Sequence, residues 1–130
     1  MKRKDKEMSE CCGSKANVLL FACSGGSNVA QIANDAAKAL DRLGQGRMYC
    51  AVGVVAGLPT FVETAQKADA RVAIDGCEVQ CLRKGFEAAG APLEGHVVVT
   101  DLGITKGHHF EYSQEEVARV AAAAADRITV

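Results

Sequence analysis

Short, uninterrupted apolar runs alternate along this chain with longer stretches in which apolar residues recur every three or four positions. The runs have the length of strands, and their continuous character is typical of parallel strands that are buried on both faces. The longer stretches have helical spacing. The predicted strands cover residues 18–22, a short segment from Met48 to just past Cys50, residues 71–74 and residues 96–100.

The resulting order, in which a helix follows every strand, predicts the fold class. We expect an α/β protein, a single-domain three-layer α/β/α sandwich with a mainly parallel four-stranded sheet. The final residues, 128–130, either extend the last helix or form a short fifth strand. Right-handed crossovers bring the C-terminal ends of parallel strands to one edge, where such sheets bind ligands.

Several helix ends carry recognisable signals. Gly44 follows the first helical pattern and is the residue type that most often ends a helix. Two capping boxes, Thr60 with Glu63 and Ser113 with Glu116, predict where the second and the last helix begin. The predicted core faces of the first and last helices are Ile32, Ala36, Leu40 and Leu43, and Val117, Val120, Ala121 and Ala124.

The third strand leads directly into a predicted helix. Asp75 is a suitable N-cap with Glu78 three residues later, so the helix is expected over residues 78–89, closed by Gly90. Cys77 then lies in its first turn, where free backbone N–H groups favour a thiolate. Cys81 follows four residues later on the same flank. The predicted core stripe of this helix is Val79, Leu82, Phe86 and Ala89.

Four cysteines are predicted at the C-terminal edge of the sheet. Cys23 and Cys77 follow the first and third strands directly. Cys50 lies near the same edge if the second strand ends early, as Gly53 indicates. Cys81 lies on the predicted helix that begins at this edge. Cys23, Cys50, Cys77 and Cys81 are called the four edge cysteines below.

Composition narrows the class of protein. At 130 residues and 48% hydrophobic content, the chain is long enough for one domain, expected over residues 17–130. A net charge of −1 and 5% aromatic residues argue against nucleic acid as a partner. The first ten residues lack the apolar stretch of a secretory signal, and no apolar run approaches membrane-spanning length. We therefore expect a cytoplasmic protein without membrane contact.

The N-terminal residues 1–16 are charged and lack periodicity, and they are predicted to be a disordered tail. This tail contains Cys11 and Cys12. Adjacent cysteines point in different directions and form a poor metal site, so exposed thiols are expected here, with accessory metal capture or resolving-thiol chemistry as alternatives. In a reducing cytosol, the six cysteines of the chain are suited to metal binding, catalysis or redox sensing rather than structural disulfides, and simple burial is the remaining alternative.

The turn Cys23-Ser24-Gly25-Gly26-Ser27 precedes a predicted helix and has the composition of an anion-binding loop. A phosphatase-like use of Cys23 as nucleophile is therefore one hypothesis. Cysteine phosphatases need an arginine six residues after the cysteine, and this chain has Val29 there. A nucleotide-binding P-loop is excluded because no Lys-Ser or Lys-Thr pair follows. Cys23 is better explained as a metal ligand, with burial or redox chemistry as alternatives.

Four blocks of the sequence together resemble one protein family. They are the run Ile74-Asp75-Gly76-Cys77 with Cys81, the run Phe21 to Ser27 around Cys23, Cys50 before a Gly-rich turn, and residues 101–106. In this order, over residues 17–107, they resemble the DGC-domain family of small zinc-binding proteins. The resemblance implies that the four edge cysteines bind Zn²⁺. It implies no established activity, and no catalytic residue follows from it.

Other polar residues near this edge have two interpretations each. Lys106 is either a counter-charge for zinc-bound thiolates or simply solvated. His108 and His109 either replace a sulfur ligand or are exposed loop residues. Asp75 is a capping residue first and a proton-transfer or zinc-supporting group second. Asp101 is expected to be a turn residue.

Three functions remain open. The first is a zinc-binding module with a structural, sensing or delivery role. The second is a thiol-based reductase or redox enzyme with Cys23 or Cys77 as nucleophile. The third is a protein-interaction domain whose cysteines are incidental and whose Ala-rich last helix packs against an unidentified protein partner.

Overall fold

The computed structural model describes residues 16–130. The predicted tail over residues 1–16, with Cys11 and Cys12, lies outside the described residues except for Ala16. The chain forms a four-stranded sheet in the order β2-β1-β3-β4 in which every neighbouring pair is parallel. The strands are β1 Val18–Ala22, β2 Arg47–Met48, β3 Ala70–Asp75 and β4 Gly95–Val98.

Helices cover both faces of this sheet, which confirms the predicted α/β fold. One face packs against α1 and α5, and the other packs against α2, α3 and α4. Alternate residues of β1 face the two layers, so Leu20 belongs to one core and Phe21 to the other. The helices are α1 Asn28–Arg42, α2 Ala51–Val55, α3 Pro59–Lys67, α4 Cys81–Ala88 and α5 Gln114–Ala125, with a 3₁₀ helix over Val99–Leu102.

Helix α5 begins and packs as the sequence predicts. Ser113 accepts a hydrogen bond from the Glu116 backbone N–H, and the Glu116 carboxylate accepts one from the Ser113 backbone N–H. The four predicted core residues of α5 are all buried. Because this apolar face packs against α1 and the sheet, it is already used inside the domain.

Helix α1 confirms its predicted core face except at one end. Ile32, Ala36 and Leu40 are buried, whereas Leu43 is 72% exposed. The helix ends at Arg42, and Gly44 then adopts the left-handed conformation, with φ of 78°. The chain therefore turns away before Leu43 can reach the core.

Two other predicted boundaries are wrong. Strand β2 ends at Met48, and residues 51–55 form helix α2, which begins immediately after Cys50. Helix α3 begins at Pro59 with Leu58 as its N-cap, so Thr60 does not cap it. Proline suits the first helical position because the N–H it lacks would have no partner within the helix.

The last predicted strand is shorter than expected. Strand β4 ends at Val98, and Val99 already belongs to the 3₁₀ helix. Residues 128–130 form neither a strand nor a helical extension, although Ile128 packs against the core beside α5. Among the helices that residues 16–130 form, none combines the length and the apolar character needed to cross a membrane.

Candidate cysteine site at the sheet edge

The strand order creates a crevice between β1 and β3. These two strands are neighbours at the centre of the sheet, but the chain leaves β1 toward β2 on one side and leaves β3 toward β4 on the other. Parallel sheets bind ligands at such a reversal, outside the C-terminal ends of the strands. Cys23 follows β1 and Cys77 lies two residues beyond β3, so these cysteines flank the crevice.

Each of the four edge cysteines is a free thiol with at least partial solvent access. The Cys23 backbone N–H donates to the Ile74 carbonyl at 3.0 Å, which extends the pairing of β1 with β3 by one residue. Cys50 is the N-cap of α2, and its sulfur accepts a hydrogen bond from the Gly53 backbone N–H at 3.3 Å. Cys50 and Cys81 are exposed, and Cys23 and Cys77 are half-buried.

The chain between β3 and α4 differs from the predicted helix. Helix α4 begins at Cys81, and residues 76–80 form a turn, here called the Cys77 loop. The Gln80 backbone N–H donates to the Cys77 carbonyl at 3.1 Å, and Gln80 has a left-handed φ of 56°. Cys81, not Cys77, is therefore the residue in the first helical turn.

The core stripe of α4 changes with this shift of the helix start. Leu82 and Phe86 are buried as predicted. Val79 lies in the Cys77 loop, where it is 46% exposed and packs into neither core. Ala89 lies just past the helix and is partly buried.

Gly76 explains why the helix starts late. A Cβ atom on Gly76 would lie 3.1 Å from the backbone nitrogen of Ala30 and 3.2 Å from its Cα. The chain leaving β3 therefore runs directly against the first turn of α1, where only glycine fits without displacing backbone. It follows that the Cys77 loop first passes along α1 and turns into α4 only afterwards.

Gln80, not Asp75 as predicted, is the N-cap residue of α4, but the Asp75 side chain still bonds to the start of the helix. Its carboxylate, 1% exposed, accepts hydrogen bonds from the backbone N–H groups of Leu82 at 2.9 Å and Arg83 at 3.2 Å. These are the second and third residues of α4, so the carboxylate acts seven residues away and Glu78 has no part in it. The long reach is set by the intervening Cys77 loop.

The same carboxylate has a partner that the sequence interpretation missed. Nε2 of His96, on β4, lies 2.8 Å from Oδ2 of Asp75. The two side chains therefore share a hydrogen bond that joins β4 to the end of β3. The available signal was a histidine inside an otherwise apolar predicted strand, because a polar side chain there requires a hydrogen-bond partner.

Lys106 reaches the edge from the segment between the 3₁₀ helix and α5. Its ammonium nitrogen lies 3.5 Å from the sulfur of Cys77. His108 and His109 lie further along the same segment and are exposed, and Nδ1 of His109 accepts a hydrogen bond from the Glu111 backbone N–H at 3.1 Å. Asp101 is exposed in the 3₁₀ helix. Of these residues, Lys106 is the one placed against an edge cysteine.

Asn28 holds this segment in place, which sequence reasoning also missed. Its amide nitrogen donates to the Thr105 carbonyl at 2.9 Å, and its amide oxygen accepts from the Gly107 N–H at 2.7 Å. The Asn28 backbone N–H also donates to the Gly107 carbonyl at 3.2 Å. Asn28 is 5% exposed and is the first residue of α1, immediately after the turn that carries Cys23. One buried side chain thus joins the start of α1 to the Lys106 segment.

A cleft of about 430 Å³ lies beside the crevice and contains two of the cysteines. Cys23 and Cys81 both line it, and α2 forms an apolar wall with Val52 and Val55. Helix α2 packs closely on α4, since a Cβ on Gly85 would lie 2.8 Å from a Val55 methyl carbon. The cleft therefore combines two accessible sulfurs with an apolar surface.

The donor atoms suit zinc, but they are not assembled around one point. Thiolate sulfur is a preferred zinc ligand, at about 2.3 Å from the metal and in tetrahedral sets of four. Within residues 16–130, no three His, Cys, Asp or Glu side chains are arranged to hold a metal ion together. Metal binding by three or four of the edge cysteines therefore requires side chains or loops to move from this arrangement.

Comparisons with known proteins identify relatives of this chain. The family model of the DGC domain matches residues 19–124. The anaerobic and virulence modulator AnvM of Pseudomonas aeruginosa is 42% identical over 91 residues, which cover 70% of this chain and 64% of AnvM. No solved structure matches. Because the family match extends from β1 almost to the end of α5, the resemblance in the cysteine blocks is confirmed, and the chain belongs to the DGC-domain family.

Proposed function

We propose that this chain is a cysteine-based regulatory module that binds Zn²⁺ through the four edge cysteines. One observation carries the proposal. Four free thiols, supplied by three separate connections of a parallel sheet, all lie at one edge and none is fully buried. Cysteines that only fill space are usually among the most buried residues of a domain, so their partial exposure favours a chemical use.

Two of the four edge cysteines lie in short segments between longer elements. Cys77 lies in a turn that ends in the strained left-handed Gln80, and Cys50 caps a helix of only five residues. Both are short connecting structures rather than interior parts of the sheet. Zinc, when bound, would supply a cross-link between crossovers, and the α4 N-terminus at Cys81 would offset part of the thiolate charge.

The regulatory role is carried over from the name of a relative. AnvM is named an anaerobic and virulence modulator. A thiolate–zinc site gives a physical reason for such a link, because oxidation of thiolates removes metal ligands. We also propose that the protein works in a reducing cytosol, where these thiols remain free.

Metal analysis of protein purified without oxygen tests the proposal. We expect about one zinc ion per chain, and about four thiols protected from a titrating reagent until the metal is removed. Replacing zinc by cobalt should give intense sulfur-to-metal charge-transfer bands. Serine substitution at Cys23, Cys50, Cys77 or Cys81 should weaken these bands, whereas Cys11→Ser and Cys12→Ser serve as matched controls and should leave them unchanged. Metal-free protein that also fails to take up cobalt would contradict the proposal.

A second candidate is a thiol-based redox protein, and the contact between Lys106 and Cys77 favours it. Cationic neighbours are a common feature of reactive cysteines. Such a protein should be isolated without metal, and it should cycle between two thiols and a disulfide when given a small oxidant and then a reductant. Thiol counts before and after one cycle, on the same anaerobic preparation, separate this candidate from the zinc module.

A further inference from the structure

The Cys77 thiol and the Lys106 ammonium form a pair that differs from the surroundings of the other edge cysteines. Their atoms are 3.5 Å apart, although 29 residues separate them in sequence. Cys50 and Cys81 are also solvent-accessible, but within residues 16–130 no lysine or arginine donates to their sulfurs. A reagent that approaches Cys77 therefore meets a positive charge in contact with the sulfur, and within residues 16–130 neither of the other two thiols has such a contact.

The position of this charge is set by the fold. Asn28 bonds to the residues on both sides of Lys106, through Thr105 and Gly107, with two side-chain hydrogen bonds and one backbone hydrogen bond. These bonds are made by a nearly fully buried residue at the start of a 15-residue helix. The backbone that carries Lys106 is thus fixed relative to α1, and Gly76 packs the Cys77 loop against the same helix turn. Both members of the pair are held by α1.

We propose that Cys77 and Lys106 form a modification site for small acidic disulfides, with Asn28 as its positioning residue. Lys106 binds a carboxylate of the incoming disulfide and holds it beside the Cys77 sulfur. That sulfur forms a bond to the nearer sulfur of the disulfide, and the original S–S bond breaks. The departing half takes the bonding electrons as a thiolate, and the proton of the Cys77 thiol passes to solvent. This reaction concerns the metal-free chain and goes beyond the proposed zinc site.

The charges near Cys77 determine how strongly it should prefer anionic reagents over neutral ones. Glu78 follows Cys77 directly and is exposed, so its carboxylate opposes an anionic reagent while Lys106 attracts it. Two unit charges about 4 Å apart in water interact by an amount equivalent to about a fivefold change in rate. A net preference of Cys77 for anionic reagents, of roughly threefold to fivefold over a neutral reagent, is therefore expected at low salt.

Alkylation kinetics on the full-length chain, freed of metal and kept anaerobic, test the charge effect. Iodoacetate and iodoacetamide are nearly equal in size and differ in charge, and mass-spectrometric peptide mapping gives the rate of each at every cysteine. We expect the iodoacetate-to-iodoacetamide ratio at Cys77 to exceed the ratio at Cys50 by roughly threefold to fivefold. Lys106→Met should bring the two ratios together, and Lys106→Arg should preserve the difference. A ratio at Cys77 that Lys106→Met leaves unchanged would overturn the proposal.

The positioning role of Asn28 needs its own variants. Asn28→Asp keeps the side-chain shape but loses the donor to the Thr105 carbonyl, and Asn28→Ala loses both side-chain bonds. We expect the ratio at Cys77 to fall in both variants, and further in Asn28→Ala, while Lys106 is still present. Circular dichroism shows which variants fold like the native chain, and only those are compared; the Lys106 variants test the charge effect and not the role of Asn28. An unchanged ratio in folded Asn28→Ala removes the positioning role.

The ligand class is tested with oxidised glutathione, which carries carboxylates, against cystamine, which carries amines. Oxidised glutathione should form a mixed disulfide faster at Cys77 than at Cys50. Lys106→Met should reverse that order or abolish the difference. With cystamine, Lys106→Met should not lower the rate at Cys77. Equal rates at both cysteines would overturn the ligand class. Zinc content is measured separately. A protein that is isolated without metal, but whose Cys77 reacts at a rate that depends on the charge of the reagent, contradicts only the zinc proposal.

Discussion

Asp75 carries three hydrogen bonds although its side chain is almost completely buried. Two of these bonds hold the start of α4, and the third joins Asp75 to His96 on the neighbouring strand. A buried carboxylate without partners would be strongly unfavourable, so its neighbours are what make this residue compatible with the fold. Asp75 therefore links β3, β4 and the helix that bears Cys81.

We predict that Asp75→Asn lowers the free energy of unfolding by about 2 kcal/mol. The amide keeps the shape of the side chain but turns one acceptor into a donor, which then faces a backbone N–H or the His96 ring. Urea denaturation measures the change. Asp101→Asn is the matched control, because Asp101 is exposed, and it should change stability by less than about 0.5 kcal/mol. Equal effects of the two substitutions would contradict the role given to Asp75.

Tyr112 provides a pH-dependent contact at the other end of the Lys106 segment. Its hydroxyl donates a hydrogen bond to Asp35 Oδ2 at 2.5 Å, which ties the segment to α1. This hydrogen bond, followed by partial burial and the nearby carboxylate charge, raises the pKa of Tyr112 above its ordinary value. The folded chain therefore holds the phenol proton more tightly than the unfolded chain does.

The stabilisation from Tyr112 should be complete below about pH 10, the ordinary tyrosine pKa, and lost as pH rises through the higher pKa of the folded state. We predict that the stability difference between the native sequence and Tyr112→Phe shrinks as pH rises above about 10. Denaturation curves at several pH values measure it, and Tyr49, which both proteins retain, cancels in the comparison. A difference that stays constant over this range would show that the phenol proton makes no contribution.

At the scale of elements, the Cys77 loop is shaped by its contact with α1 rather than by its own sequence. Gly76 touches the backbone of Ala30, whereas Gly26, in the turn before α1, has nothing within 4 Å of the position of a Cβ. Both glycines have ordinary φ values, so neither is needed for a left-handed conformation. The two positions differ in the space available for a side chain.

We predict that Gly76→Ala lowers the free energy of unfolding by about 1–3 kcal/mol, because a new methyl group would press against helix backbone that cannot rotate away. Gly26→Ala is the matched control and should be nearly neutral, within about 0.5 kcal/mol. Urea denaturation compares the two. The explanation for the late start of α4 fails if Gly76→Ala is as stable as Gly26→Ala.

At the scale of the whole molecule, three connections of the sheet each place cysteine at the same edge. Cys23 follows β1, Cys50 follows β2, and Cys77 and Cys81 follow β3. One ion that bound all three connections would stabilise the folded chain, because the unfolded chain does not present its ligands together. The proposed zinc site is therefore testable by stability as well as by spectroscopy.

We predict that zinc raises the melting temperature by on the order of 10 °C when its free concentration is a thousand times the dissociation constant, which corresponds to about 4 kcal/mol. Differential scanning calorimetry under reducing, anaerobic conditions measures the shift. Magnesium, which prefers oxygen ligands, is the control and should have little effect. The shift should disappear in a Cys77→Ser, Cys81→Ser double variant. A shift of equal size in that variant would place the zinc elsewhere.

The sequence by itself determined the features that depend on neighbours within a few residues. The buried strands β1 and β3 follow from continuous apolar runs, and the start of α5 follows from a capping box whose partners are three residues apart. The class of fold and the placement of Cys23 beyond β1 follow from the same local patterns. These features are readable because hydrogen bonds and burial repeat with the period of the local structure.

The tertiary structure decided what depends on packing between distant segments. Asn28 bonds to residues 77 and 79 positions away, and His96 bonds to Asp75 across 21 residues. The start of α4 at Cys81 depends on how closely Gly76 approaches α1. The capping pattern of residues 75–78 carries no information about that distance. Such contacts follow from the relative positions of whole elements, and those positions are fixed by the packing of two cores on one sheet.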